Sequence, residues 1–294
     1  MLVSIVTYNP DEELLKRNLE IMKRNEPSTE IVIVDNNSRK VPSVNRVDHF
    51  IRFPRNYGLG RAYNHIINLA KEKGHEWVLL LDQDSVLLNN FRPSKVVQES
   101  SSLRDPILLS INWDHSYPTR KVEGTNFHEA RLFANSGTLI YVDYGARNPY
   151  LEELFVDMVD LEYCHRASKR GKYVYDEPMI SHFVGEGFIQ PSNVCGEIYM
   201  LLAKLRNFRN TSKTVRGLIK YSNPLRYYLG IRNVLYLLLR NRTWLGDGVI
   251  NMVGGSLTLC DSMGVKGMRL WLRAILRAVD GRLSEDNENL LVEI

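Results

Sequence analysis

The chain has 294 residues, 44% of them hydrophobic and 24% charged, which is ordinary for a globular protein of one large domain or of one domain with an appendage. Its net charge of +4 is too small to indicate nucleic-acid binding, and we predict no nucleic-acid partner. No uncharged apolar run reaches about 18 residues, so no membrane-spanning helix is predicted. The first residues are apolar and lack a basic leader, which favours a strand over a signal peptide.

The three cysteines, Cys164, Cys195 and Cys260, are far apart in sequence and show no CxxC spacing. An odd number of widely separated cysteines predicts neither a zinc site nor a disulfide framework. This usage fits a reducing cytoplasm.

The first ninety residues alternate between apolar segments and amphipathic segments. Strands are predicted at residues 2–7, 30–35, 49–53 and 77–82. Asn9 followed by Pro10 is typical of a helix start, and this helix should end near Asn25. A second helix is expected from about Arg61 to Lys73. Strand, helix, strand, strand, helix, strand implies right-handed parallel crossovers, and hence an α/β fold with a doubly wound, mostly parallel sheet.

Further strands are predicted in the second half, at residues 107–111, 138–142 and 173–175. Residues 155–170 should be extended up to about Asp157 and helical from about Asp160. After Gly187 the pattern changes to helices, at about residues 197–208, 224–240 and 266–279, and the acidic last ten residues are expected to fray. We therefore predict an α/β domain over residues 1–195 and a helical extension over residues 196–294.

The most informative stretch is the apolar strand Trp77–Leu81, which runs directly into Asp82 and Asp84. A buried strand of a parallel sheet ends at the edge where open α/β folds bind ligands. Two carboxylates that close repel unless a cation lies between them, so the pair suggests Mg²⁺ or Mn²⁺ held against phosphate oxygens. The alternative is an ordinary turn after a strand.

Three more polar features follow predicted strands, so that four would meet at one edge of the sheet. They are Thr7-Tyr8-Asn9, Asp35 with the turn after it, and the Asn56–Asn64 segment with Gly58 and Gly60. Asp35 could accept hydrogen bonds from a pyrimidine base, and glycines let the backbone approach a diphosphate. A single cleft collecting all four would suit a nucleoside diphosphate.

These segments, VTYNP at 3–10, IVDNNS at 33–38, NYGLGRAYN at 56–64 and LLLDQDS at 79–85, resemble the family 2 glycosyltransferases with the GT-A fold. The resemblance covers roughly residues 1–190. LDQDS with VDNNS upstream looks most like the bacterial rhamnosyltransferase branch, whose members use dTDP-L-rhamnose. The resemblance implies a nucleotide-sugar-binding half over residues 1–90 and an acceptor half over 91–195.

The resemblance also implies roles for individual residues. Asp35 would contact the base, and Asp82 and Asp84 would hold the divalent cation, with His182 as a further ligand. The donor-binding set it implies is Thr7, Tyr8, Asn9, Asp35, Asn56, Gly58, Asn64, Asp82 and Gln83. The acceptor-binding set is Asn135, Ser136, Gly137, Arg166, Arg226 and Arg232.

The catalytic base is expected in the acidic cluster at residues 157–162. The family pattern places two acids, a third acid two residues later, and then an arginine. Counting back from Arg166 puts the third acid at Glu162 and the base at Asp160, but Val159 occupies the place of the first acid. This departure leaves Asp157 open as the alternative base. Helix-initial acids that complement the helix dipole would be a structural explanation of the cluster.

Residues 198–246 contain ten Lys and Arg and no Asp or Glu. Such a block is typical of a surface that meets anions, here predicted to be anionic lipid at the cytoplasmic face of the cell membrane, where lipid-linked glycan acceptors are built. Tyr221, Tyr227, Tyr228 and Trp244 could lie at headgroup level. A solvated helix face is the alternative.

The expected reaction is displacement at the anomeric carbon by an acceptor hydroxyl, with one base and no covalent nucleophile, hence inversion. A UDP-hexose is the alternative donor. Two other classes remain open: a HAD-type phosphatase built on Asp82, Asp84 and Ser110, and a non-catalytic membrane-bound scaffold. The phosphatase fits less well because its nucleophile normally follows the first strand of its fold.

Overall fold

The computed structural model describes residues 1–44, 47–112, 119–167, 171–181, 188–207, 218–219, 223 and 225–293. The chain forms two compact units. The first comprises Met1–Phe155 and Val159–His182, and the second comprises Val156–Met158 and Phe183–Ile294.

The first unit is built on a large mixed sheet. Its strands, in chain order, are β1 (Leu2–Thr7), β2 (Glu30–Asp35), β3 (His49–Arg52), β4 (Trp77–Asp82), β5 (Val86–Leu87), β6 (Pro106–Ser110), β7 (Thr119–Lys121), β8 (Phe127–Ala130), β9 (Thr138–Tyr141), β10 (Gly171–Tyr175) and β11 (Ile180–Ser181). Nine of them form one sheet in the order β3-β2-β1-β4-β9-β6-β10-β8-β7, while β5 and β11 form a separate antiparallel pair.

The direction of the strands confirms that the first part of the sheet is parallel. β3, β2, β1 and β4 are mutually parallel, and their register places Thr7 beside Asp35 and Val6 beside Asp82. β9 runs antiparallel between β4 and β6. The ends of β1, β2 and β4 therefore meet at one edge, as the sequence predicts.

Helices flank this sheet: α1 (Glu12–Asn25), α2 (Gly58–Glu72), α3 (Pro93–Glu99), α4 (Val142–Arg147) and α5 (Val159–Arg166). Odd-numbered residues of β1, β2 and β4 share one core with Leu15, Leu19 and Met22 of α1. Side chains alternate along a strand, so the even-numbered residues face the other side, where α2 packs. Burial on both faces explains why these strands are mostly apolar, with Ser4 of β1 as a buried polar exception.

Two predicted helix starts were wrong. The N-cap of α1 is Asp11 rather than Asn9, because the Asp11 carboxylate accepts hydrogen bonds from the Glu13 and Leu14 N–H groups at 2.9 and 3.0 Å. Asn9 has a φ of 53°, outside helical geometry. α2 begins at Gly58, three residues before the predicted Arg61.

The second unit is helical: α6 (Val194–Asn207), α7 (Leu225–Leu239), α8 (Leu245–Met263), α9 (Val265–Asp280) and α10 (Leu283–Glu293), with the short antiparallel strands β12 (Phe188–Ile189) and β13 (Leu218–Ile219). α7 packs against α8 and α9, and α6 packs against α8. The sequence did not predict α8, because its glycines weaken intrinsic helix propensity. The helix forms nevertheless, because it packs on three neighbouring helices.

The expectation of a frayed C-terminus was wrong for α10. Asp286 is fully buried, and it accepts hydrogen bonds from Tyr228 Oη at 2.5 Å and from Arg232 Nη1 at 2.6 Å. Arg273 and Arg277 each lie 3.5 Å from its other oxygen. Asp286, which belongs to the acidic stretch expected to fray, is therefore buried and holds the last helix in place.

The same network corrects the acceptor role predicted for Arg232. Its side chain is 0% exposed, and its guanidinium donates to Asp286, Asn287 and Asn233. Tyr227 and Tyr228, expected at headgroup level, are also buried. An acceptor substrate cannot reach a guanidinium that is fully buried, so Arg232 is no longer a candidate for acceptor binding.

The cysteine prediction was wrong as well. Cys195 in α6 and Cys260 in α8 are paired as a disulfide across 65 residues of sequence. Cys164 is free and buried, and burial raises the pKa of its thiol to about 12. Within the part of the chain that the structure describes, no helix is both long and apolar enough to cross a membrane.

Candidate active site

At the carboxyl ends of β1 and β2, Asp35 organises a buried polar cluster. The Asp35 carboxylate accepts hydrogen bonds from Thr7 Oγ1 at 3.1 Å and from the backbone N–H and hydroxyl of Ser38. Arg52 Nε lies 3.6 Å from the same carboxylate. Asp35 is 0% exposed, so these partners already surround it. Contact between Asp35 and a base stays a prediction.

Tyr8 and Gln83 connect the end of β1 to the turn after β4. The Tyr8 N–H donates to Gln83 Oε1 at 2.6 Å, and Gln83 Nε2 donates back to the Tyr8 carbonyl at 3.1 Å. The Tyr8 side chain is 38% exposed. The amide therefore holds the two predicted donor segments together and leaves the tyrosine ring facing solvent.

The loop before α2 is held against the end of β2. The Asn36 amide donates to the Gly58 carbonyl at 3.0 Å and accepts from the Tyr57 N–H at 2.8 Å, while Asn56 Oδ1 accepts from the Gly58 N–H at 2.9 Å. Gly58 has a φ of 81°, and a Cβ there would collide with the Phe155 backbone. A side chain is therefore excluded by conformation and by space.

Asn64 is engaged by the protein on every polar atom. Its Oδ1 accepts from the Tyr150 N–H at 2.7 Å, and its Nδ2 donates to the Tyr150 carbonyl and to Glu152 Oε1, each at 3.0 Å. These bonds fix residues 150–152 on α2. They favour a positioning role, and direct donor contact stays a prediction.

The chain turns at Asp82-Gln83-Asp84 and does not stay extended, as the Ser85 N–H donates to the Asp82 carbonyl at 3.2 Å. Asp82 is half-buried and accepts from Tyr63 Oη at 2.6 Å, whereas Asp84 is exposed. The two carboxylates are therefore not presented by an extended strand, in which alternate side chains would point the same way. Carboxylate oxygens suit Mg²⁺ or Mn²⁺, which in nucleotide sites take one or two carboxylates together with phosphate oxygens.

Among the described residues no group of three or more His, Cys, Asp and Glu is placed to hold a metal by itself. His182, the predicted further ligand, lies outside the described residues. Asp82 and Asp84 supply carboxylates of the kind that such a cation takes together with a diphosphate, but by themselves they do not complete a metal site, and cation binding stays a prediction.

Asn135, Ser136 and Gly137 support the end of β4. Ser136 Oγ accepts from the Asp82 N–H at 3.1 Å and is also bonded to the Ser85 hydroxyl. Asn135 Oδ1 accepts from Tyr150 Oη at 3.0 Å. Gly137 has a φ of 83°, and a Cβ there would lie 2.6 Å from Ile180 Cδ1 and 3.0 Å from Asn112 Cβ, so both the turn and its neighbours require glycine.

A layer of buried tyrosines lies beneath Asp82. Tyr150 stacks on Tyr163 with ring centroids 3.9 Å apart, and Tyr63 lies 5.2 Å from Tyr150. Burial, followed by the charge of Asp82 and the hydrogen bond to it, raises the pKa of Tyr63 well above its usual range. The charge of Asp160 adds to this increase for both Tyr63 and Tyr150. Asp82 therefore acts on Tyr63, Asp160 acts on both phenols, and both phenols stay protonated.

The two candidate bases differ in their surroundings. Asp160 is in the first turn of α5 and accepts from the Leu161 N–H at 2.8 Å. Asp157 belongs to the second unit, where Arg226 donates to both of its oxygens, at 3.0 and 2.7 Å. Asn233 Nδ2 also donates to the Asp157 carbonyl at 2.9 Å. Arg226 therefore engages both oxygens of Asp157, and the choice of base between Asp157 and Asp160 stays a prediction.

The position of the base was counted back from Arg166, and the structure shows what holds the Arg166 side chain. Its guanidinium donates to both oxygens of buried Glu162, one helical turn earlier, at 2.6 and 2.9 Å, and to the Pro149 carbonyl at 2.8 Å. The pair fixes the orientation of α5. An acceptor contact from Arg166 stays a prediction, as it does for Arg226.

Sequence reasoning missed several residues that build this edge, namely Arg52, Tyr63, Tyr150 and Glu152, and it gave Ser38 no role of its own within the turn after Asp35. Tyr63 sits inside the NYGLGRAYN segment and could have been singled out as a large polar residue on the inner face of a helix. Tyr150 and Glu152 have no local signal, because their role depends on Asn64, 86 and 88 positions away.

The class of protein follows from this arrangement and one comparison. Residues 2–133 match the model of the family described as glycosyl transferase family 2. The matched part contains all four strand-end features. Residues 2–133 therefore carry the sequence pattern of the family 2 glycosyltransferases, in a chain with the GT-A fold and a C-terminal helical extension.

Two particular proteins are similar to it. The dTDP-rhamnosyl transferase RfbF of Shigella flexneri is 28% identical over 258 residues, which cover 80% of this chain and 84% of the relative. Among solved structures, S. aureus TarS 1–349 is 15% identical with a TM-score of 0.50, covering 96% of this chain and 81% of that one. The first is a rhamnosyltransferase relative, and the second supports the fold alone.

Proposed function

We propose that this enzyme transfers L-rhamnose from dTDP-L-rhamnose to a hydroxyl of a glycan or lipid-linked glycan acceptor, with inversion at the anomeric carbon. The observation that carries the proposal is the layer of buried tyrosines that runs from Tyr63, hydrogen-bonded to Asp82 at 2.6 Å, through Tyr150 to Tyr163 of α5, the helix that also carries Asp160. It associates the residue proposed to face the donor diphosphate with the residue proposed to activate the acceptor. The relative RfbF supports the choice of donor.

The donor is proposed to lie along the edge formed by β1, β2 and β4. The nucleoside would lie near Tyr8 and the Asp35 cluster, because these residues follow β1 and β2. The diphosphate would reach the Asp82-Gln83-Asp84 turn with a divalent cation. That cation, when bound, supplies positive charge that stabilises the departing nucleoside diphosphate.

The protein's own residues would perform the remaining steps. Tyr63 holds Asp82 through a phenol that stays protonated, which fixes the carboxylate before the donor arrives. Asp160 takes the proton from the acceptor hydroxyl as its oxygen attacks the anomeric carbon. Because no second carboxylate is proposed as a covalent nucleophile, a single displacement inverts the configuration.

The acceptor is proposed to be a bacterial surface polysaccharide during its synthesis at the inner face of the cell membrane, where the protein would be attached peripherally. The sequence feature that supports membrane attachment is the basic block of residues 198–246. The structure weakens that basis, because Arg226 pairs with Asp157 and Arg232 is buried against Asp286.

A thermal-shift screen tests the donor. A ligand that binds only the folded state raises apparent stability, so dTDP-L-rhamnose with Mg²⁺ or Mn²⁺ should raise the melting temperature. UDP-hexoses should do so less, and dTDP alone should separate base recognition from sugar recognition. A larger shift with a UDP-hexose than with dTDP-L-rhamnose would replace the proposed donor. Phosphatase activity on a chromogenic ester, with no response to any nucleotide sugar, would contradict the function itself.

A further inference from the structure

Helix α9 of the second unit presents large apolar side chains outward. Val265, Met268, Leu272, Leu276 and Val279 are 81%, 59%, 50%, 68% and 61% exposed. Their spacing of three, four, four and three residues places them on one stripe of the helix. A stripe of this kind normally faces the protein core, so its exposure calls for an explanation.

The opposite face of α9 is made of small residues. Gly267, Ala274 and Ala278 are buried, and a Cβ on Gly267 would lie 3.0 Å from the Leu259 carbonyl oxygen of α8. Trp271 Nε1 donates to Ser256 Oγ at 2.8 Å and fixes the rotation of α9 on α8. The helix is therefore held in place by its small face, with its apolar stripe turned away from the unit.

One flank of the stripe is basic. Lys266, Arg269, Arg273 and Arg277 follow one another at three, four and four residues and so form a single row beside the stripe. Lys266 and Arg269 are exposed. The acid in this helix is Asp280, at its last position.

α8 provides a contrast within the same unit. Leu245, Val249, Ile250 and Val253 are 74%, 45%, 42% and 42% exposed, but its 19 residues contain no Lys or Arg. Exposed apolar surface alone does not distinguish lipid from protein. The basic row distinguishes α9 from α8 and complements the charge of an anionic partner.

We propose that α9 lies in the interface of an anionic lipid bilayer, with the stripe Val265–Val279 inserted among the acyl chains and Lys266 and Arg269 at the lipid phosphates. A helix of 16 residues is about 24 Å long, shorter than the roughly 30 Å of a hydrocarbon core, so it lies in the plane of the membrane. A second copy of the chain fits less well, since a two-fold contact along α9 would bring the basic row towards its equivalent.

This inference rests in part on the membrane setting of the proposed function, but it assigns that setting to α9 in place of the basic block at residues 198–246. It does not depend on the donor. Vesicle binding and donor-induced thermal shifts are separate measurements, so either proposal can fail without the other.

Flotation with vesicles tests the assignment, using the full chain and either phosphatidylcholine alone or phosphatidylcholine mixed with phosphatidylglycerol. Wild type should float with the mixed vesicles. Leu272→Glu and Leu276→Glu should each lower the partition coefficient about tenfold or more, because burial of a leucine is worth more than a tenfold change in an equilibrium constant. Val41→Glu is the matched control, at a residue of the first unit that is 48% exposed.

The basic row has its own variant. Lys266→Gln combined with Arg269→Gln should reduce binding to the mixed vesicles and reduce its salt dependence, without changing the binding to phosphatidylcholine. Leu272→Ala is the milder variant to use if a glutamate lowers the melting temperature. The proposal is overturned if the glutamate variants float as wild type does, or if sedimentation shows a concentration-dependent dimer that the same variants abolish while vesicle binding is absent.

Discussion

The sheet edge of the first unit and helix α7 of the second unit both carried predicted functional residues, and the structure treats them differently. At the edge, the residues after β1, β2 and β4 come together because parallel strands in register must end together. In α7, Arg232 and Tyr228 turn inward to Asp286. A polar residue at a strand end has its direction set by the sheet, whereas the direction of a helical arginine depends on a partner remote in sequence.

The largest expected effect concerns the edge. Excess chelator should lower transfer by on the order of 10³ or more, because a cation at a phosphoryl oxygen contributes several kcal/mol to the transition state. Asp84→Ala should lose donor-induced thermal stabilisation and remain folded. Asp143→Ala, at an exposed acid of α4, is the matched control. Full activity in excess EDTA would rule out the cation.

The next effect sharpens the contrast from the α7 side. Arg232→Met should lower the free energy of unfolding by about 3 kcal/mol, the lower end for breaking a buried ion pair, because Arg273 and Arg277 still lie 3.5 Å from Asp286. Chemical denaturation measures this. Arg269→Met, at an exposed arginine of the same unit, should change stability by less than about 0.5 kcal/mol. Equal effects of the two substitutions would mean that Arg232 is not part of the core.

A smaller effect tests a residue of the edge that the sequence assigned to the donor. Asn64→Ala removes three hydrogen bonds to Tyr150 and Glu152 and should destabilise the protein by about 2 kcal/mol. Donor affinity, measured by titration on the folded protein, should change by less than about threefold, which is well under 1 kcal/mol. A large loss of affinity at unchanged stability would restore Asn64 to the donor site.

Much of the first unit could be predicted from the sequence, because β1, β2 and β4 are mostly apolar runs and the motifs follow them directly. Strands β1 and β2 were placed at their observed limits. The second unit was harder. α8 carries Gly246, Gly248, Gly254 and Gly255, which weaken its helical pattern, and α10 reads as an acidic tail until Arg232 is known to face Asp286.

The candidate site likewise contains residues that could be predicted from the sequence and contacts that could not. Residues whose position follows from a strand end, such as Asp35 and Asp82, were identified, and their carboxylates do lie at the edge. What could not be predicted was the conformation after the strand: the chain turns at residues 82–85, leaving Asp82 half-buried and Asp84 exposed. Nor could the sequence show that Arg226 grips Asp157, because the two are 69 residues apart.

The most direct test of the account compares two aspartates that are three residues apart in the chain. Asp160→Asn and Asp157→Asn should be assayed side by side at saturating donor. We expect Asp160→Asn to lower turnover by about 10²–10⁴, the usual contribution of a general base, while it keeps donor-induced thermal stabilisation. Asp157→Asn should cost less than about tenfold, since its ion pair with Arg226 is partly exposed. Loss of turnover in Asp157→Asn, with Asp160→Asn near wild type, would exchange their roles and contradict the account.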